Sequence, residues 1–256
     1  DGHHTVNVST AVALVVAAAG VPVAKHGNRS VSSKCGSADV LEACGVRLDA
    51  PAEVARRCLD EAGICFLFAP QYHAGLRHAM PVRKALAVRT VFNLLGPLVN
   101  PARPPRQLVG VYDPRWCVPV AETLARVGCE RALVVHGAGL DEMALHGPTT
   151  AAHLRDGRVE QITLTPDQVG LAEAPLSALA GGAPEDNAAW LRGLLSGQGT
   201  PAHRDVVAFN AGAVLWISGA AEDLRGGVER AANLLAGDAG AQLLSRWATL
   251  SQGETP

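Results

Sequence analysis

The chain has 256 residues, of which 48% are hydrophobic, so it can bury a core and is unlike a long disordered protein. Its 22 Lys and Arg residues against 24 Asp and Glu residues give a net charge of -2, which argues against nucleic acid as a partner. The longest apolar stretch, residues 11–24, is shorter than the roughly 20 residues of a membrane-spanning helix, so no membrane partner is expected either.

The six cysteines form no Cys-x-x-Cys pair and stand in apolar or helical surroundings. We interpret them as buried free thiols of a protein in a reducing cytosol, since disulfide frameworks are typical of much smaller secreted chains. They are Cys35, Cys44, Cys58, Cys65, Cys117 and Cys129. The chain starts at Asp1 rather than Met, and we expect that an N-terminal piece is missing.

Strand-type and helix-type patterns alternate along the first half of the chain. After a brief β-branched run at residues 6–8, Ser9 or Thr10 caps a predicted apolar helix over residues 11–19. Ser37 or Asp39 caps a later helix. Further helices are predicted over residues 51–62, 77–88 and 116–127. Buried strands are predicted over residues 21–24, 64–69, 107–112 and 131–136.

The second half begins with a predicted hairpin and continues as helices. Hydrophobicity alternates with period two over residues 149–164, with Asp156-Gly157 at the tip. Helices are predicted over residues 187–195, 205–218, 222–235 and 239–250. This order predicts an α/β fold with a mostly parallel central sheet, an antiparallel hairpin and helices on both faces. We expect one catalytic domain over residues 1–256.

Two polar segments suit an anionic ligand, because ligands of open α/β sheets bind beyond the carboxyl ends of strands. In residues 1–10, hydroxyl and amide side chains precede a helix start whose free N–H groups suit a phosphate, although ordinary N-capping explains them as well. Residues 25–37 place Lys25, Arg29 and Lys34 among serines and glycines, which favours a polyanion over a merely solvated loop. This segment matches neither GxxxxGK[ST] nor GxGxxG.

A third segment, after the strand at residues 131–136, carries the adjacent acids Asp141 and Glu142. Mg²⁺ is held in proteins by one or two carboxylates together with waters and substrate phosphates, but adjacent acids are also common on surfaces. His73 and Arg83 flank a further helix start, where Arg83 either clamps a carboxylate or belongs to a solvated helix face. No zinc-binding spacing of histidines is present.

Three segments, in this order and spacing, resemble the anthranilate phosphoribosyltransferase family: KHGNRSVSSKCGSADVLEACGV, FLFAPQYHAGLRHAMPVRKALAVRTVFNLLGPLVNPA and GLDEMAL. The resemblance covers essentially the whole chain. It implies transfer of the phosphoribosyl group of phosphoribosyl pyrophosphate to anthranilate in tryptophan biosynthesis, with Mg²⁺, in a cytoplasmic homodimer. No obligate catalytic base is implied, because an aromatic amine attacks without prior deprotonation.

The resemblance also implies roles for individual residues. Those for phosphoribosyl pyrophosphate are Asp1, Thr5, Asn7, Val8, Ser9, Thr10, Lys25, His26, Gly27, Asn28, Arg29, Ser30, Val31, Ser32, Ser33 and Ser37. Those for anthranilate are Asn28, Arg83, His26, His73, Gly96 and Pro97. Those for Mg²⁺ are Ser9, Asp141 and Glu142.

The chain departs from the family pattern in several places. The family's GTGG before Asp1 and its small N-terminal helical domain are absent from the given sequence, so we expect reduced activity or stability. Cys35 replaces a usual Ser and Ala74-Gly75 a usual Pro-Ala, and these two changes bear on acceptor preference; Ala87 replaces a usual Gly. A pyrimidine nucleoside phosphorylase of the same fold and a non-catalytic relative that binds nucleic acid are the alternatives.

Overall fold

The computed structural model describes residues 5–29, 35–73, 75 and 92–254. The helices of this part are α1 (Val8–Ala18), α2 (Ser37–Ala43), α3 (Ala52–Ala62), α4 (Ala69–Tyr72), α5 (Phe92–Leu98), α6 (Cys117–Arg126), α7 (Pro184–Leu195), α8 (Pro201–Ser218), α9 (Leu224–Leu235) and α10 (Ala239–Ser251). The strands are β1 (Val23–Gly27), β2 (Ile64–Phe68), β3 (Arg106–Gly110), β4 (Arg131–Gly137), β5 (Thr149–Arg155) and β6 (Arg158–Leu164). The helix predicted over residues 77–88 lies outside the described residues.

The described strands form two hydrogen-bonded groups. Strands β1 and β2 pair in parallel, with Lys25 opposite Phe66. In the other group β3 and β4 are parallel, while β5 and β6 add on in antiparallel fashion. The predicted hairpin is confirmed: Asp156 and Gly157 both have positive φ, 52° and 72°, as a two-residue turn between twisted strands requires. The α/β class is confirmed as well.

Helices cover both faces of the larger group, as predicted. Side chains of β4 alternate between two cores, since successive residues of a strand point to opposite faces. Leu133 and Val135 belong to the main core, which contains Phe209 of α8. The intervening Ala132 and Val134 pack instead in a second core with residues of α6. This two-sided burial leaves the ends of the strands as the place for polar chemistry.

Helix α1 lies inside the main core, where nine of its eleven residues are buried. A helix that is apolar on all sides is typical of such a position. It begins three residues earlier than predicted, with Asn7 rather than Ser9 or Thr10 at the N-cap position. The β-type run predicted at residues 6–8 is not a strand; instead Thr5 forms an isolated bridge with Ala180.

Strand β1 runs to Gly27, whereas the sequence predicted a loop from residue 25 onward. The reason is tertiary: Lys25, His26 and Gly27 continue the ladder against Phe66, Leu67 and Phe68 of β2. Backbone pairing with an apolar strand thus outweighs the polar character of these residues.

All six cysteines are free thiols, and all except the half-buried Cys35 are buried. Burial raises the pKa of Cys65 to about 12. Among the helices that the structure describes, not one combines the length and apolar character that crossing a bilayer requires.

Candidate active site

The two adjacent acids follow a tight turn at the carboxyl end of β4. Gly137 and Leu140 exchange both backbone hydrogen bonds at 2.9 Å, and the two residues between them, Ala138 and Gly139, have positive φ of 48° and 102°. The turn sends the chain back over the strand ends. We call residues 138–143 the acid segment; in it the Asp141 side chain is exposed and Glu142 is half-buried.

Two glycines allow the acid segment to lie directly against the strand ends. A Cβ atom at Gly110, the last residue of β3, would overlap the backbone of Asp141. A Cβ atom at Gly137, the last residue of β4, would overlap the backbone of Glu142. The acids are therefore placed by a backbone-to-backbone contact that tolerates no side chain at these two positions. The sequence analysis did not single out either glycine.

Side chains fix both ends of the acid segment. His136 Nε2 accepts a hydrogen bond from the Gly139 N–H at 3.2 Å, so its Nδ1 is the protonated nitrogen and donates to the Val111 carbonyl at 2.9 Å. At the other end, the Asn210 side chain bonds to both backbone groups of Met143. The carboxylates of Asp141 and Glu142 are thus carried on a segment with little freedom to shift.

Residues from the three predicted polar segments meet at Glu142. Lys25 Nζ donates to Ser9 Oγ at 3.1 Å, which joins the middle of β1 to the start of α1. The Ser9 backbone N–H and the Lys25 charge both favour the charged form of the Glu142 carboxylate, so the three residues lie close together. These residues come from the two segments predicted to suit an anion and from the segment with the adjacent acids.

The charges at this point perturb one another strongly. Burial, with the neighbouring Asp141 charge, raises the pKa of Glu142 to about 8, although Lys25 and the Ser9 N–H oppose the shift. Burial lowers the pKa of Lys25 to about 8, and Glu142 opposes that shift in turn. Paired shifts of this kind, in which an acid and a base are both desolvated, are typical of functional sites.

The donor set fits a divalent cation of the Mg²⁺ type. Glu142 Oε2 is buried and has no hydrogen-bond partner among the described residues. Burying a carboxylate oxygen in this way costs free energy unless a bound ligand interacts with it. Asp141 and the Ser9 hydroxyl supply further oxygen donors. The described residues contain no group of three His, Cys, Asp or Glu side chains that would cage a metal. Such a cation would therefore take its remaining ligands from water and substrate phosphates.

The start of α1 differs from the expectation of free helix N–H groups. The Val8 N–H donates to the Val6 carbonyl at 2.8 Å, and the Thr10 and Ala11 N–H groups donate to the Asn7 carbonyl at 3.0 and 3.3 Å. Unlike these backbone groups, two side-chain oxygens at the start of α1 have no hydrogen-bond partner in the described structure. They are the buried Asn7 Oδ1 and Thr10 Oγ1. Of these two atoms the Thr10 hydroxyl can donate to an anion, whereas the Asn7 amide oxygen only accepts hydrogen bonds.

The basic segment is also partly occupied by partners within the protein. Arg29 forms a two-pronged ion pair with Glu42 at 2.6 and 2.7 Å and a third bond to Asp39 at 3.2 Å. These contacts hold the pKa of Glu42 below its usual range. Ser37 lies close to the end of β1, because a Cβ atom at Gly27 would be only 2.5 Å from its Oγ. Of the three cations expected around a polyanion, Lys25 lies near Glu142 and Arg29 binds acids of α2, while Lys34 lies outside the described residues.

A pair of histidines lies beside this region. The rings of His26 and His73 are 5.0 Å apart in an edge-to-face arrangement, and His26 Nδ1 is 3.2 Å from the Gly96 carbonyl. Burial, and then the proximity of His73, lowers the pKa of His26. The Nε2 atoms of both histidines are buried without a hydrogen-bond partner in the described part of the chain. The structure thus brings together His26, His73 and Gly96, with Pro97 next to Gly96 in α5.

Other predicted site residues have no described position. Asp1, Ser30, Val31, Ser32, Ser33 and Arg83 lie outside the described residues. Asn28 is described: its side-chain oxygen accepts from the Arg29 N–H at 2.8 Å, and its carbonyl accepts from the Ala38 N–H at 3.3 Å.

Known proteins share this arrangement of the chain. Residues 1–240 match the family described as glycosyl transferase family, a/b domain. Anthranilate phosphoribosyltransferase of Sorangium cellulosum is 65% identical over 98% of this chain and 72% of the relative. That of Aeromonas hydrophila is 56% identical over 99% of this chain and 74% of the relative. The chain belongs to the anthranilate phosphoribosyltransferase family.

Solved structures agree with this assignment. Anthranilate phosphoribosyltransferase from Thermus thermophilus matches with a TM-score of 0.92 and 48% identity, over 97% of this chain and 74% of that one. The enzyme from Saccharomyces cerevisiae in complex with PRPP (phosphoribosyl pyrophosphate) and Mg matches with a TM-score of 0.89 and 28% identity, over 99% of this chain and 71% of that one. The family resemblance stated from the sequence is therefore confirmed.

The residues that sequence reasoning missed at this family site are the ones that hold the acid segment. Gly110 and Gly137 could have been suspected: Gly110 lies inside the strand predicted over residues 107–112 and Gly137 directly follows the one predicted over 131–136, and a glycine in a strand often marks a close backbone approach. Asn210 gives no comparable signal, because an asparagine within a predicted helix says nothing about a partner 67 residues away.

Proposed function

We propose that this chain transfers the phosphoribosyl group of phosphoribosyl pyrophosphate to the amine of anthranilate, releasing pyrophosphate, as a step of tryptophan biosynthesis. The amine nitrogen forms a bond to C1 of the ribose, the C1–O bond breaks with its electrons on pyrophosphate, and the nitrogen releases one proton. The observation that carries the proposal is the hydrogen bond between Lys25 and Ser9 beside Glu142, whose buried Oε2 has no hydrogen-bond partner among the described residues.

Charge stabilisation and positioning supply the catalysis in this proposal. The bond to pyrophosphate breaks with a build-up of negative charge on the leaving group and oxocarbenium character on the sugar. Lys25, fixed by its hydrogen bond to Ser9, stands where a phosphate bound over the strand ends would meet it. Bound Mg²⁺ would neutralise charge on the departing pyrophosphate. Ser9, Asp141 and Glu142 are the residues that we assign to hold it.

We assign the acceptor to the region of the histidine pair. His26 and His73 are half-buried aromatic rings next to Gly96 and Pro97, which suits the flat ring of anthranilate. Arg83 is assigned to the anthranilate carboxylate, which its guanidinium group can bind with two parallel hydrogen bonds. No side chain is assigned as a general base, because the lone pair of an aromatic amine is available at neutral pH.

Metal removal tests the reaction class. Anthranilate is fluorescent, so its consumption with phosphoribosyl pyrophosphate is followed directly. Chelation of divalent ions is expected to abolish turnover, and added Mg²⁺ is expected to restore it. Phosphorolysis of thymidine or uridine, or salt-dependent DNA binding without Mg²⁺-dependent turnover, would favour one of the two alternatives and contradict the proposal.

The acceptor assignment makes a separate prediction for Arg83. Arg83→Ala is expected to raise the KM for anthranilate at least about tenfold, the loss of a charged hydrogen bond, while the KM for phosphoribosyl pyrophosphate stays near its original value. Arg126→Ala, which removes an exposed arginine of α6, serves as the control. An equal loss for both substrates would refute the carboxylate role.

A further inference from the structure

Asn210 is a polar residue in the interior of the protein. It lies near the middle of α8 and is 2% exposed, and the flanking Phe209 and Ala211 belong to the main core. Placing an amide in such surroundings costs free energy unless its donors and acceptor are all used. The partners of this side chain therefore indicate what it does.

Those partners lie in the acid segment. Asn210 Oδ1 accepts from the Met143 N–H at 2.9 Å, and Nδ2 donates to the Met143 carbonyl at 3.0 Å and to the Val206 carbonyl at 2.9 Å. The Met143 N–H belongs to the peptide bond that joins Glu142 to Met143. One buried side chain thus fixes the peptide plane from which the Glu142 residue projects.

The orientation of this peptide plane affects the Glu142 carboxylate, as the other contacts of the acid segment show. His136 fixes the first turn of the acid segment, and Gly110 and Gly137 let the segment rest on the strand ends. The Glu142 carboxylate lies in the segment that these contacts hold, and one of its oxygens is buried without a hydrogen-bond partner among the described residues. Replacing a residue that orients a metal ligand typically lowers metal affinity by about 10- to 100-fold.

We infer that Asn210 is a positioning residue, which holds the Glu142 carboxylate in the orientation that binds the divalent cation. The inference rests on the proposed metal role of Glu142. Asn210 touches neither cation nor substrate in this account; it acts through the Met143 peptide. A purely apolar residue of similar shape would fill the same core space but would leave the acid segment without its fixed end.

The experiment measures metal binding directly. Mn²⁺ is titrated into the protein at saturating phosphoribosyl pyrophosphate, and the concentration of free Mn²⁺ is measured by electron paramagnetic resonance. Asn210→Ala is expected to raise the Kd for Mn²⁺ about 10- to 100-fold, while the KM for anthranilate changes little. Leu215→Ala is the control. Leu215 is fully buried in the same helix, so its replacement destabilises the protein without removing a hydrogen bond to the acid segment.

Equal Mn²⁺ affinities of Asn210→Ala and Leu215→Ala would overturn the inference. If Asn210→Ala does not fold, Asn210→Asp replaces it, since it keeps the acceptor for the Met143 N–H and should give a smaller rise in the Kd. Glu142→Gln separates the two proposals. Weaker Mn²⁺ binding by Glu142→Gln but not by the Asn210 variants overturns the positioning role alone. Unchanged binding by Glu142→Gln overturns the metal assignment itself, and this inference with it.

Discussion

Glu142→Gln is expected to lower turnover about 100-fold and to weaken its dependence on Mg²⁺, the scale seen when one preorganised charge-stabilising group is lost. The amide keeps the size of the side chain and removes the charge that a cation would contact. It also removes the Glu142 charge that favours the charged form of Lys25, so the pKa of Lys25 is expected to fall further. The double variant Asp141→Ala, Glu142→Ala is expected to lower turnover further.

The measurement is turnover against Mg²⁺ concentration, with anthranilate fluorescence as the readout. Glu160→Gln is the matched control, because Glu160 is an exposed acid of β6 away from the acid segment. Turnover of Glu142→Gln equal to that of this control, with the same Mg²⁺ dependence, would show that the metal assignment is wrong.

Gly110→Ala is expected to destabilise the protein by about 3 kcal/mol or more and to cut turnover about 100-fold, although alanine carries no functional group. The added methyl group would overlap the Asp141 backbone, which cannot rotate out of the way as a side chain would. The acid segment has to move off the strand end, and both carboxylates move with it.

Thermal or denaturant unfolding and turnover together test this expectation. Gly193→Ala in α7 is the matched control, because its Cβ atom meets ordinary contacts at 3.9 Å in a helical conformation. That variant is expected to keep full activity and to gain about 0.5–1 kcal/mol, the usual advantage of Ala over Gly in a helix. Unfolding and activity of Gly110→Ala that match those of Gly193→Ala would contradict the close contact.

Periodicity in the sequence was sufficient to predict most of the helices and strands. The apolar runs before Gly27 and at residues 64–69, and the hairpin around Asp156-Gly157, correspond to β1, β2, β5 and β6 of the structure. The long C-terminal helices agree to within a few residues at their N-terminal ends, where α8 starts at Pro201 after a Thr200 cap. Local patterns succeed here because burial on one face or on both faces repeats along a single element.

The starts and ends next to the site were less predictable. Helix α1 begins at Val8, whose side chain is buried in the main core, and β1 continues to Gly27 because β2 offers a partner for it. Arg29 shows the same limit for a side chain. Its charge suits a phosphate, but Glu42 and Asp39 of α2 bind it in the structure. A residue's chemistry can be read from its type, whereas its partner depends on which segment folds against it.

The amino-acid sequence alone determined the family, the α/β class and the kinds of donor that the site contains, because residue types and short spacings carry that information. The tertiary structure decided which of these donors meet. It joined Lys25 and Ser9 at Glu142, turned Arg29 away, and made Gly110 and Asn210 part of the support of the acid segment. Such contacts join residues far apart in the chain, and they follow from packing and burial, which local sequence patterns do not encode.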